Sequence, residues 1–170
     1  LTFLIYPELI RQITGQSFDN YLTDNFYTPL GANTMGFNPK KKNYRNKIIP
    51  TEYDSIFRKD LTQGWVHDEN ASLLGGVSGN AGLFSNANDL AILGQLLLNK
   101  GIYGGHRYLS EETVELFTKA KHGGHRGLGF DIKTSKGAAG CYAGASRGTY
   151  GHSGFTGTCL WIDPVQNLVY

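Results

Sequence analysis

Hydrophobic periodicity changes once along this chain, and that change constrains the fold more than any single residue does. Before residue 125 the apolar side chains recur at helical spacing; after it they alternate as in extended strands. Phe3, Leu4, Ile5, Leu9, Ile10 and Ile13 predict a helix over 1–14, interrupted or started by Pro7, with Gly15 as its C-cap. Ser17 predicts the N-cap of a second helix carrying Phe18, Tyr21, Leu22 and Phe26 and ending at Pro29-Leu30-Gly31. Residues 31–72 read as polar and irregular. The glycine-dense stretch 75–85 leads into an amphipathic helix over 86–100, capped by Ser85 or Asn86 with Asp89 in its first turn. Ser110-Glu-Glu-Thr113 opens a further helix through Val114, Leu116 and Phe117. Leu128, Phe130 and Ile132 then alternate, and 150–155, 158–162 and 167–170 read as strands, with 163–167 turning between the last two. Helices first and hairpin-connected strands later predict an α+β fold: one domain over 1–170, mainly helix and loop over 1–124 and antiparallel strands over 125–170.

Composition narrows the function classes. The chain has 170 residues, 40% hydrophobic and 18% charged, enough apolar surface for a core. Lys plus Arg is 16 and Asp plus Glu is 14, so the net charge of +2 gives no electrostatic case for nucleic acid as a partner. The basic run Lys40-Lys41-Lys42 with Asn43, Arg45 and Lys47 reads as a solvated loop, since no aromatic residues interleave it as a nucleic-acid groove would need. No stretch approaches the roughly 18 apolar residues of a membrane span. Cys141 and Cys159 cannot build a disulfide scaffold; one bridge or two buried free thiols are both open.

Several chemistries lack their residues. Gly76, Gly79 and Gly82 share only glycine content with a dinucleotide loop, and no Lys-Ser/Thr follows them. His122 and His125 are spaced as a possible metal pair without a third ligand, and His67-Asp68-Glu69 is a cluster of sequence neighbours that seldom converge on one ion. No cofactor and no metal are therefore expected. No Gly-x-Ser-x-Gly elbow exists, because the run from Gly76 through Ser78 ends in Asn80, and no Ser-x-x-Lys occurs. The most informative stretch is His152-Ser153-Gly154, which predicts a strand presenting a donor side chain, a hydroxyl and backbone N–H groups to an extended ligand.

The run 151–164, Gly-His-Ser-Gly-Phe-Thr-Gly-Thr-Cys-Leu-Trp-Ile-Asp-Pro, resembles the third signature region of serine β-lactamase-like hydrolases: class C β-lactamases, D-Ala-D-Ala peptidases and lactamase-fold esterases. Pro29-Leu-Gly31 with Met35-Gly-Phe37, Pro50-Thr-Glu52, Val66-His-Asp-Glu-Asn-Ala71, the 75–85 glycine stretch with Asp89-Leu90, and Arg126-Gly-Leu-Gly-Phe130 are similar to further family passages in the same order. A closer similarity is to lactamase-like domains of Bacteroidetes proteins that follow a family 3 glycoside hydrolase domain. The resemblance implies a β-lactamase/transpeptidase-like fold, present in part, and acyl-serine hydrolysis of a β-lactam, ester or D-amino-acid amide. It assigns site roles to His152 (positive potential or hydrogen bonds), Ser153 (substrate hydroxyl contact) and the backbone N–H of Phe155 (oxyanion donor), and substrate contacts to Gly154 and Thr156.

The departures from the family pattern set further expectations. The nucleophile motif is missing, and Tyr44-Arg-Asn46 has the letters of the second motif in the wrong place. The chain is thus expected to be a middle-to-late piece of such a domain, cut at both ends and inactive by itself. Exposed sheet edges would favour homo-oligomers. By resemblance the substrate is a small molecule or peptidoglycan-like, and the compartment periplasmic or otherwise exported. The alternative expectation is a non-catalytic peptide- or peptidoglycan-binding module. His67 and Asp68 are expected to stabilise loops, and Asn80 stands where close relatives often have His.

Overall fold

A computed structural model of the chain describes residues 2–39, 47–121, 124–134 and 141–170. The basic run 40–46 with its Tyr44-Arg-Asn46, and His122, lie outside these. No helix among the described residues is long and apolar enough to cross a membrane. The chain divides into two compact units, Leu1–Asp89 and Leu90–Tyr170.

The first unit is helical with one hairpin. Helix α1 (Thr2–Thr14) runs through Pro7 rather than stopping there. Proline removes the N–H that would bond the carbonyl four residues back, which is that of Phe3. Gly79 occupies the space this opens: a Cβ there would sit 2.1 Å from the Phe3 oxygen and 3.5 Å from Pro7 Cδ. Two sequence-distant features, a mid-helix proline and a loop glycine, are one packing contact. Helix α2 (Phe18–Leu22) continues through a π-helical turn (Thr23–Tyr27) into α3 (Thr28–Leu30). Ser17 sits at the α2 cap position, but its hydroxyl bonds Asp19 Oδ1 at 2.7 Å instead of a backbone N–H.

Residues 31–72 are less irregular than their composition implies. Strands β1 (Glu52–Asp54) and β2 (Asp60–Thr62) pair antiparallel. Asp54 closes their turn by accepting from the N–H groups of Ile56, Phe57 and Arg58, and the Arg58 guanidinium bonds Asp54 and the Val66 and His67 carbonyls. Helix α4 (Glu69–Leu73) follows, with Asp68 as its N-cap accepting from Ala71 N–H at 2.7 Å. Side-chain-to-backbone bonds of this kind order a polar segment that carries no apolar periodicity. Tyr27, Leu30, Ala32, Met35, Phe37, Val66 and Ala71 are the buried apolar residues described in this unit.

Helix α5 (Ala87–Leu98) begins at the end of the first unit, capped by Asn86, whose Oδ1 accepts from Asp89 N–H at 2.9 Å. From Leu90 on, the second unit is a helix-covered sheet. After a short hairpin, β3 (Ile102–Tyr103) with β4 (His106–Arg107), Ser110 caps α6 (Glu111–Thr118) through Thr113 N–H. The sheet orders β5 (Asp131–Ile132), β6 (Tyr150–Ser153), β7 (Cys159–Asp163) and β8 (Leu168–Val169), all antiparallel. Leu97 and Leu98 of α5 pack on a cluster of Ile132, Tyr150 and Ile162. The mixed helix and antiparallel-strand architecture agrees with the α+β expectation.

The strands are shorter than alternation implied. Leu128 and Phe130 belong to a turn, not to β5: Gly127 N–H bonds Phe130 O and Leu128 N–H bonds Phe117 O. Strand β6 ends at Ser153, because Gly154 N–H turns back to Thr158 O at 2.7 Å and Gly157 N–H to Gly154 O at 3.1 Å. Both cysteines are free thiols; Cys141 is half-buried and Cys159 exposed, so neither the bridge nor the buried-thiol reading holds.

Candidate functional site: the β6–β7 hairpin

Strand β6 is buried at its first half and open at its second. Tyr150 and Gly151 are buried, His152 and Ser153 exposed. The register sets Gly151 opposite Trp161, His152 opposite Leu160 and Ser153 opposite Cys159. On the other side β5 reaches only Asp131, opposite Gly151. Among the described residues the β5 ladder therefore does not continue beside His152 and Ser153, and this end of β6 is paired there by β7 alone.

Glycine at 151 is required by packing. A Cβ there would meet the Leu160 carbonyl at 2.2 Å and the Trp161 ring at 2.6 Å. The indole thus lies across Gly151, fully buried, and fixes the strand immediately before the exposed pair. His152 turns its Nδ1 to its neighbour's carbonyl, Ser153 O, at 2.7 Å. The Ser153 hydroxyl has no hydrogen-bond partner among the described residues. Gly154, Phe155 and Thr156 lie in the turn, all exposed, with Phe155 94% accessible.

All five residues singled out from the sequence thus fall on one hairpin, two on the strand and three on the turn. Sequence reading did not single out Cys159. Its exposed thiol shares a face with Ser153, and only the strand register reveals this. His67 and Asp68 have structural partners: Asp68 caps α4, and His67 Nε2 contacts Glu52 Oε1 at 2.8 Å. Asn80 accepts from the buried Ser78 hydroxyl at 2.6 Å. No group of three metal-ligating side chains occurs among the described residues.

The family model described as Beta-lactamase matches residues 1–170. The chain belongs to the Beta-lactamase family. Proteins of Escherichia coli O157:H7 and of strain K12 are each 37% identical to it over 180 residues, spanning 98% of the chain. Both carry the provisional name D-alanyl-D-alanine carboxypeptidase. The chain spans 42% of the length of these relatives. Among solved structures, a penicillin-binding protein homologue from Caulobacter crescentus is similar over 96% of the chain and 48% of its own, with a TM-score of 0.67 and 19% identity. A β-lactamase from Mycobacterium bovis is similar over 98% and 52%, with a TM-score of 0.64 and 21% identity. At those identities the likeness establishes the β-lactamase/transpeptidase-like fold, which family membership shares.

Proposed function

We propose that this chain is the middle-to-late part of an exported serine hydrolase of the family, one that transfers an acyl group from a D-amino-acid amide, β-lactam or ester to a serine and then to water. The observation that carries the reading is the one-edged end of β6, where His152 and Ser153 stand exposed beside a glycine turn. The carboxypeptidase name of the curated relatives supports a peptidoglycan-related substrate. The nucleophilic serine and its lysine lie outside residues 1–170, since the sequence has no Ser-x-x-Lys. The chain by itself does not turn over substrate.

Each residue has a distinct task in this reading. The Ser153 hydroxyl and His152 ring hydrogen-bond the substrate's anionic end. The N–H of Phe155 donates to the oxygen on which negative charge develops when the carbonyl is attacked. Gly154 and Thr156 shape the turn that admits the scissile group. In the full-length protein, His152→Ala and Ser153→Ala are each expected to lower kcat/KM toward a D-alanyl-D-alanine ester or a chromogenic lactam about 100-fold, with thermal unfolding unchanged. Unaltered kcat/KM in both variants would overturn the assignment of this hairpin.

A further inference from the structure

The second unit holds a cavity of about 480 Å³, inside the range of roughly 300–1,000 Å³ usual for small-molecule sites. Leu97 and Leu98 of α5, Val114 of α6 and Ile132 of β5 give it an apolar wall. Val114 and Ile132 are buried, so this wall belongs to the folded core and is not a scatter of surface side chains. None of residues 152–156 lines the cavity, which therefore does not depend on the role of the hairpin.

Three polar groups of the lining lack a counterpart among the described residues. Tyr150 of β6 is only 4% exposed, and its phenol has no hydrogen-bond partner there. Burial pushes this phenol up to about 12, so it stays neutral and keeps a hydrogen to donate. Lys133 Nζ bonds the carbonyls of Ala143 at 3.1 Å and Tyr142 at 3.4 Å, and no described carboxylate balances its charge. The exposed Arg147 guanidinium has no described partner at all. Glu115 is the one acid of the described lining, and Lys119 and Lys100 hold it. Lys100 also bonds Glu111, so these two lysines and two glutamates cancel. The charges of Lys133 and Arg147 remain.

We propose that this cavity binds a single-chain fatty carboxylate, its hydrocarbon chain on the α5–α6 wall and its head toward Arg147 and Lys133. A small anion alone would gain little from charges that stand in water. A purely apolar ligand would leave both cations and the Tyr150 phenol as they are. A fatty carboxylate uses both halves of the lining: each buried methylene adds hydrophobic stabilisation, and the planar guanidinium fork matches a carboxylate's two oxygens.

Titration calorimetry of the full-length protein with dodecanoate, below its micelle-forming concentration, tests this. One dodecanoate should bind per chain. Octanoate, shorter by four methylenes, should bind about 100-fold more weakly. Dodecan-1-ol, which has the chain without the charge, should bind about tenfold more weakly than dodecanoate. Arg147→Glu should weaken dodecanoate by about tenfold and leave dodecan-1-ol unchanged. Ala120 lines the cavity and is exposed, so Ala120→Trp fills the space without disturbing the core and should abolish binding of both. Thermal unfolding of both variants should match wild type. Equal binding of dodecanoate and dodecan-1-ol, equal binding of dodecanoate and octanoate, or dodecanoate binding that neither variant alters would overturn the inference. Absence of saturable dodecanoate binding to the folded wild type would overturn it as well, since the cavity would then be closed or filled in the intact protein.

Discussion

Replacing Trp161 by alanine is expected to lower the unfolding free energy by about 3–5 kcal/mol, the usual range for a buried Trp truncation. Trp161 is the largest fully buried side chain of the molecule's described part. It lies across Gly151, so nothing on β6 can move into the space it leaves without bending the strand. The cavity would stay open, and the cost is the lost burial plus that void. Its indole N–H has no partner among the described residues, a burial that itself costs free energy. Trp161→Phe keeps most of the ring and removes that N–H, so its loss should stay below about 1.5 kcal/mol. Urea unfolding of the three chains measures both effects. A Trp161→Ala loss under about 1 kcal/mol would show that the indole does not anchor the hairpin.

Asp163→Ala is the second large expected effect, about 3 kcal/mol, because four donors lose a buried charged acceptor. Asp163 ends β7 and is fully buried. It accepts from Val165 and Gln166 N–H, which closes the turn into β8, and from Ser146 N–H at 2.8 Å, which ties down the approach to β6. The Tyr142 hydroxyl adds a longer bond at 3.4 Å. Burial alone would raise this carboxyl's pKa, but the Ser146 and Gln166 backbone bonds outweigh it and hold the value at about 2. Asp54 behaves alike at its own turn: burial is opposed by the Phe57, Ile56 and Arg58 bonds, again to about 2.

A depressed folded-state pKa contributes stability above the unfolded value, near 3.8, and that contribution is lost as pH falls toward 2. Unfolding midpoints should therefore be flat from pH 8 to about 5 and fall below about 4. The acid-dependent loss should shrink in Asp163→Ala while a remnant from Asp54 persists. An unchanged acid slope in the variant would contradict this account of the β7–β8 turn.

Much of this architecture was legible in the residues. The 3.6-residue spacing of Leu90, Leu93 and Leu97 found α5, and the caps Asn86 and Ser110 stood where helices α5 and α6 begin. The hairpin β1–β2 was not legible, because polar strands held by Asp54 and Arg58 leave no apolar alternation to read. Strand ends were overestimated for a related reason. Alternation continues past Ser153 to Phe155, yet a single bond from Gly154 N–H to Thr158 O stops the strand. At the site, His152, Ser153 and Gly154 were visible as a motif. Their one-edged exposure depends on β5 ending at Asp131, and the exposed Cys159 beside Ser153 depends on register, neither of which residue types encode locally. The pairing of Pro7 with Gly79 joins residues 72 positions apart and is visible only in the packed unit.

The central claim is that this hairpin serves a serine held elsewhere in the same protein. Intact-mass and peptide mass spectrometry after exposure to a β-lactam or a D-alanyl-D-alanine ester tests it most directly. The account predicts a single acyl adduct on the full-length protein, on a serine outside residues 1–170, formed about 100-fold more slowly in Ser153→Ala, and no adduct on the 170-residue chain alone. A full-length protein that binds these compounds but is never acylated, or an adduct that forms on the 170-residue chain itself, would contradict it.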